Sequence, residues 1–171
     1  AVIHKLIYEI LLEKNVKLIN ILGLVQVSGP GSYTGMRVSE GVSQIFSWQG
    51  FKTYSFYHHE VPRMLGIPSG TWLSNAFKRE YFIYSWTKTG DVNSILKKKE
   101  TMGLKLKNQN PLFSSFELEE ISESIELTSK LIFNNSKKLF NKIIDENIER
   151  PLFYYRTLEE EYSKKDKRAN A

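Results

Sequence analysis

The chain has 171 residues, enough for one domain with a sizeable core or for two small lobes. At 41% hydrophobic and 25% charged it reads as globular, and with no cysteine it excludes disulfides, thiolate zinc sites and a cysteine nucleophile. The net charge of +5 permits an acidic or nucleic-acid partner without demanding one; no apolar run reaches the roughly 20 residues of a membrane-spanning helix, so a cytoplasmic, membrane-free location is expected.

Residues 2–13 read as a helix, with Ile3, Ile7, Ile10 and Leu11 on one stripe. Tyr8 and Leu12 sit off the centre of that stripe, so the helix reads as apolar on more than one side: either it is simply well buried, or a second face meets a partner. Residues 19–27 form a near-continuous apolar run, as expected of a strand covered on both faces. A glycine-rich loop follows, and residues 36–48 then read as a helix stopped by Gly50. The aromatic-rich residues 51–57 read as a second strand, giving a βαβ unit with parallel strands. Residues 58–66 give a short helix with Pro62 in its first turn. The break at residues 66–70 marks a boundary between lobes 1–66 and 67–171. Two strands, 71–75 and 80–86, form a hairpin. Residues 91–110 are polar and lysine-rich with little periodicity. From Ser114 the pattern is helical: Ser114 and Glu117 have capping-box spacing. Ile121, Ile125 and Ile132 mark one stripe, and Leu139, Phe140, Ile143 and Ile144 another, with residues 134–136 separating two helices. Pro151 stops the pattern, and residues 151–156 are extended.

The loop after the first strand invites a phosphate-binding reading, because backbone N–H groups at a helix start attract anions. The specific versions fit poorly. A P-loop needs a Gly-Lys-Ser/Thr ending, and here Met36 and Arg37 follow Gly35. A dinucleotide fingerprint accepts Gly29 and Gly31, but its third glycine arrives one residue late and no acid ends the next strand. Ser32 lacks the flanking glycines of a nucleophile elbow. The remaining role for Gly29, Pro30, Gly31 and Gly35 is tight turning and close packing, with Ser32 or Thr34 capping the helix. Arg37, in the first turn, opposes the helix dipole and calls for an acidic group or a phosphate nearby. Ser39, Ser43 and Ser47 recur at helical spacing and form a stripe of small residues that another helix could approach. His58 and His59 before Glu60 do not have the spacing of a zinc-protease motif, and no metal site or catalytic set can be assembled.

The stretch GPGSYTGMRV, residues 29–38, resembles the GPGSFTGLRIG signature of the TsaB (YeaZ) family, which acts in threonylcarbamoyladenosine (t6A) modification of tRNA. Further segments resemble the family in its order: HKLIYEILLE before the first strand, GFKTYSFYHHEVPRML after the second helix, the hairpin around residues 75–82, and PLFYYR near the end. Departures include Ser39 where the family carries glycine, and Asn75 and Phe77 in the hairpin. The family's leading strands are not present, so the N-terminal lobe is expected to be incomplete. The resemblance implies an α/β fold of the actin-like ATPase (ASKHA, ribonuclease-H-like) type with two lobes. It implies a non-catalytic scaffold that binds a TsaD homologue as a heterodimer through its first two helices, or pairs with a second copy through the same surface. A TsaE-type ATPase would join the larger complex, tRNA would be engaged indirectly, and a nucleotide, if held, would sit only at the partner interface. Tyr8, Leu12, Met36, Ser39, Glu40, Ser43 and Ser47 are the expected interface residues. The rival readings are an actin-like ATPase or peptidase-like enzyme, and a direct tRNA-binding module using the lysines at 97–99 and 164–167.

Overall fold

The computed structural model describes residues 3–76, 79–90, 92–98, 111–116 and 125–155. The first helix, α1 (Ile3–Glu13), is followed by a 3-10 turn at Leu18–Asn20 and strand β1 (Gly23–Val27). Helix α2 (Tyr33–Trp48) leads to β2 (Lys52–Phe56), which pairs with β1 in parallel register, Val25 opposite Tyr54. The βαβ unit is therefore present. Its first strand is shorter than its apolar run, because that run begins in the 3-10 turn. A second 3-10 turn, His58–Glu60, runs into the short α3 (Val61–Met64), with Pro62 in its first turn, where no amide is needed.

Strands β3 (Gly70–Asn75) and β4 (Glu80–Trp86) form the expected hairpin, with Leu73 opposite Ile83. Two regions differ from the sequence reading. Part of the lysine-rich stretch is a strand, β5 (Val92–Lys98), antiparallel to β4. Its pattern is weak because it lies at the sheet edge, where one neighbour suffices and polar side chains are tolerated. Ser114 and Ile125, read as helical, lie in β6 (Leu112–Ser114) and β7 (Ile125–Leu127). β6 pairs parallel to β3 and β7 parallel to β6, completing a sheet of order β5-β4-β3-β6-β7. Long-range pairing thus overrides the helical spacing. The Ser114 hydroxyl accepts from the Phe116 amide (3.2 Å) and makes a local turn instead of a helix cap; Glu117 and Ile121 lie outside the described residues. Helices α4 (Thr128–Asn134) and α5 (Ser136–Asp145) follow, divided at Asn135 as expected.

Period-two alternation sends the side chains of the larger sheet to two faces. Trp72, Phe82, Tyr84, Trp86 and Phe113 join Tyr54 and Phe56 of β2 and Leu139 and Ile143 of α5 in the main core. Leu73, Tyr81, Ile83 and Leu112 form a smaller cluster on the other face. Inside the core the Trp72 indole donates to Thr128 Oγ1 (2.8 Å), which donates to the Ser114 carbonyl (3.1 Å). Of the expected α5 stripe, Leu139 and Ile143 are fully buried, while Ile144 points outward.

Candidate functional site

Helix α1 contributes no buried residue to the protein. It is nevertheless apolar around more than half its circumference. Ile7 and Leu11 face α2, while Ile3, Leu6 and Ile10 stand exposed on the other side. Such a helix has little reason to hold its position in water unless something further covers it. Between α1 and α2 lies an apolar groove of about 500 Å³, lined on one wall by Ile7, Tyr8, Leu11 and Leu12 and on the other by Val42, Ile45 and Phe46. Val16 and Leu18 close one end. Tyr8 and Leu12 are each 61% exposed on this wall, and Trp48 at the end of α2 is 78% exposed. A contiguous apolar surface of this kind is available for a partner to cover.

The serines of α2 do not form that surface. Ser39 is partly buried, and its hydroxyl donates to Gln26 Oε1 on β1 (3.0 Å). Ser43 is only 9% exposed and lines a polar cleft with Gln26, Thr53 and Ser55. Both therefore face the chain's own sheet, where small residues let α2 come close, and Ser47 alone of the three is exposed. The groove wall instead uses Val42 and Ile45, three residues apart, together with Phe46. That apolar stripe was readable at helical spacing, but the serines beside it drew the reading. Ser39→Ala leaves the Gln26 acceptor unpaired and lowers stability by about 1 kcal/mol in urea denaturation.

The glycine loop is tied down on all sides. Ser28 N–H donates to the Phe56 carbonyl (2.9 Å), and His58 N–H to the Gly29 carbonyl (2.8 Å). The later segment at 148–155 returns across it: Phe153 N–H donates to the Ser28 carbonyl (2.8 Å) and Gly31 N–H to the Phe153 carbonyl (3.3 Å). Tyr154 forms a bridge to Gly31 and stacks on Tyr33, ring centroids 5.3 Å apart. Pro30 is buried, and Met36 folds back over Gly31, where a side chain would meet its Cε at 2.8 Å. Ser32 is the helix cap, accepting from Gly35 N–H (3.2 Å), and Thr34 is exposed. The Gly31, Gly35 and Met36 amides are thus engaged within the chain, the last with the Ser32 carbonyl at 3.0 Å. Those donors are what a phosphate would need.

Arg37 has its acidic group on the same helix: Nη1 lies 2.7 Å from Glu40 Oε2, and the guanidinium sits 5.4 Å above the Tyr33 ring. Glu40 first, then Tyr33, raise the Arg37 pKa. The pair offsets the unfavourable position of the cation in the first turn.

The two adjacent histidines are wedged into the core. His59 is 6% exposed and packs against Tyr84 (4.2 Å between centroids), Tyr57, Trp72 and Phe153. Its Nδ1 has no hydrogen-bond partner. Burial pushes the His58 pKa down to about 4; burial, then the nearby His58 and Arg150, push that of His59 down to about 3. Among the described residues no three of His, Cys, Asp and Glu gather as a metal-binding group, and no helix is long and apolar enough to cross a membrane.

No protein-family model and no curated protein matches the sequence. In structure the chain is similar to an uncharacterized protein with similarity to peptidase YeaZ from Pseudomonas aeruginosa, at 12% identity and a TM-score of 0.51, over 80% of this chain and 76% of that one. It is also similar to YeaZ from Pseudomonas aeruginosa, at 13% identity and a TM-score of 0.49, over 82% and 77%. The first likeness shows the fold: the chain is a divergent α/β structure of the YeaZ-like type.

Proposed function

We propose that the chain is a non-catalytic scaffold of the TsaB kind, which docks a TsaD homologue through α1 and α2 in the cytoplasm. A TsaE-type ATPase would join that pair, and tRNA would be engaged through the partners. One observation carries the reading: α1 buries none of its residues, yet shares an apolar groove with α2 and exposes a second apolar side. The resemblance of residues 29–38 to the TsaB signature and the YeaZ-like fold support it. The chemistry of the remaining side chains agrees. His59 is held neutral inside an aromatic cluster, and the Gly31, Gly35 and Met36 amides of the glycine loop are engaged by the chain's own backbone and Ser32. In this reading the loop presents α2 at a fixed angle, and any nucleotide belongs to the interface with the partner.

Co-expression with the TsaD homologue of the same organism gives one co-eluting species in size-exclusion chromatography. Ile45→Asp places a charge on the groove wall and weakens the complex by roughly 2–4 kcal/mol, as loss of a central apolar anchor does. Ser47→Asp, outside the groove lining, changes it little. A folded chain that elutes apart from a folded partner overturns the proposal.

A further inference from the structure

We propose that the outward face of α4 and α5 binds single-stranded nucleic acid, with Phe133 as a stacking platform and Lys130, Lys137 and Lys138 as phosphate contacts. These two helices contribute nothing to the α1/α2 groove lining, so the inference stands apart from the docking reading. Their inward residues, Thr128 and Leu131 of α4 and Leu139 and Ile143 of α5, are buried. The helical period then turns residues 130, 133 and 137 away from the core. Phe133 is 81% exposed, although the core built by the same helices could have taken an aromatic ring. Lys130 precedes it by three residues, which places the two side chains as neighbours on one helix face. Lys137 follows in the first turn of α5, beyond the break at Asn135.

Among the described residues no carboxylate pairs with the lysines of this face. Lys138 Nζ donates to the Leu65 carbonyl (3.0 Å), which fixes the ammonium while leaving its charge in place. Among the described residues, Lys130, Lys137 and Lys138 form no ion pair, whereas Lys142 further along α5 is paired with Glu146 at 3.2 Å. Among the described residues from β7 to the end of α5, the acids are Glu126 on β7, Asp145 at the last position of α5 and Glu146 just beyond it. An exposed ring with Lys130 beside it on α4, and Lys137 and Lys138 in the first turn of the next helix, matches a phosphate backbone carrying an unpaired base. An acidic peptide would satisfy the lysines and leave the ring unexplained.

The test is fluorescence anisotropy of the full chain alone with short labelled single strands of mixed sequence, one RNA and one DNA. The two strands tell apart the ribose and deoxyribose versions of the ligand. Binding weakens with salt at a log–log slope of about −2, as three phosphate contacts on a single strand require. Lys130→Gln with Lys137→Gln lowers affinity about tenfold at low salt and flattens the slope to about −1 or less. Phe133→Ala lowers affinity about tenfold with the slope unchanged, and Phe133→Trp restores it. All four substitutions fall on exposed positions, and circular dichroism confirms the fold of each variant. Equal affinity of the wild type and both variants, duplex binding as tight as single-strand binding, or no binding at low salt overturns the proposal.

Discussion

Gly29→Ala lowers the unfolding free energy by roughly 3–5 kcal/mol, the sum of backbone strain and overpacking. Gly29 has φ of +123°, a conformation in which a side chain is strained whatever the space around it. The space is also filled. A Cβ at Gly29 would run into the carbonyl oxygen of Phe153. That carbonyl cannot simply turn aside, since it accepts from Gly31 N–H, and its own residue's N–H donates to Ser28. Relief therefore requires giving up part of the ladder that binds residues 148–155 to the loop. For a chain of this size the expected fall in melting temperature is about 10 °C. Gly41→Ala is the internal control: it lies within α2, a Cβ there meets nothing within 4 Å, and it should stabilise by about 0.5–1 kcal/mol through helix propensity. Urea denaturation of both variants decides the matter. A Gly29→Ala protein within 1 kcal/mol of the wild type would mean that the loop and the returning segment are not coupled as described.

Acidification is expected to unfold the protein through His58 and His59. Both are held below the ordinary histidine value, at about 4 and about 3, with burial as the first cause. The unfolded chain therefore takes up protons before the folded one does. The stabilisation from each neutral ring is complete above pH of about 6.5 and is lost as pH falls toward about 4 for His58 and about 3 for His59. Each is worth on the order of 3 kcal/mol, and the two are not additive because their charges repel. Among the described residues no carboxylate is paired with His59. Its ring neighbours are aromatic, Arg150 adds positive charge, and Glu60 is committed to Arg150 at 3.1 Å. Chemical denaturation at a series of pH values between 7.5 and 4.5 should show a steep loss. His59→Phe, which keeps the ring and removes the orphaned Nδ1, should flatten it. An unchanged pH profile in that variant would assign the acid sensitivity to other groups.

The same cluster shows why some of the molecule was legible in sequence and some was not. The βαβ unit was readable because its signals are local: an apolar run, a glycine loop with a serine cap, and a helix ended by Gly50. The hairpin was readable because Trp72, Phe82 and Trp86 alternate within strands bounded by turns. Strands β6 and β7 were not. Three residues each are too few to show a period, and their strand state comes from pairing, β6 with β3, which lies about 40 residues earlier in the chain, and β7 with β6. In β5 the lysines obscured a strand that one neighbour, β4, is enough to hold.

At the α1/α2 groove the sequence by itself determined that α1 is apolar on more than one side, because helical spacing is a property of the residues alone. It also determined that Gly29 to Gly35 make a tight turn capped from within. Only the tertiary structure decided which face of α2 is free. Ser39 and Ser43 look as available as Val42 and Ile45 in the helical pattern, until Gln26 and the β1–β2 pair claim the serine side. Only the tertiary structure, too, showed that residues 148–155 close over the glycine loop, with Phe153 bonded to both Ser28 and Gly31. The physical reason is the same in each case. A helix period fixes which residues share a face, but which face meets the protein depends on hydrogen bonds made by segments far away in the chain.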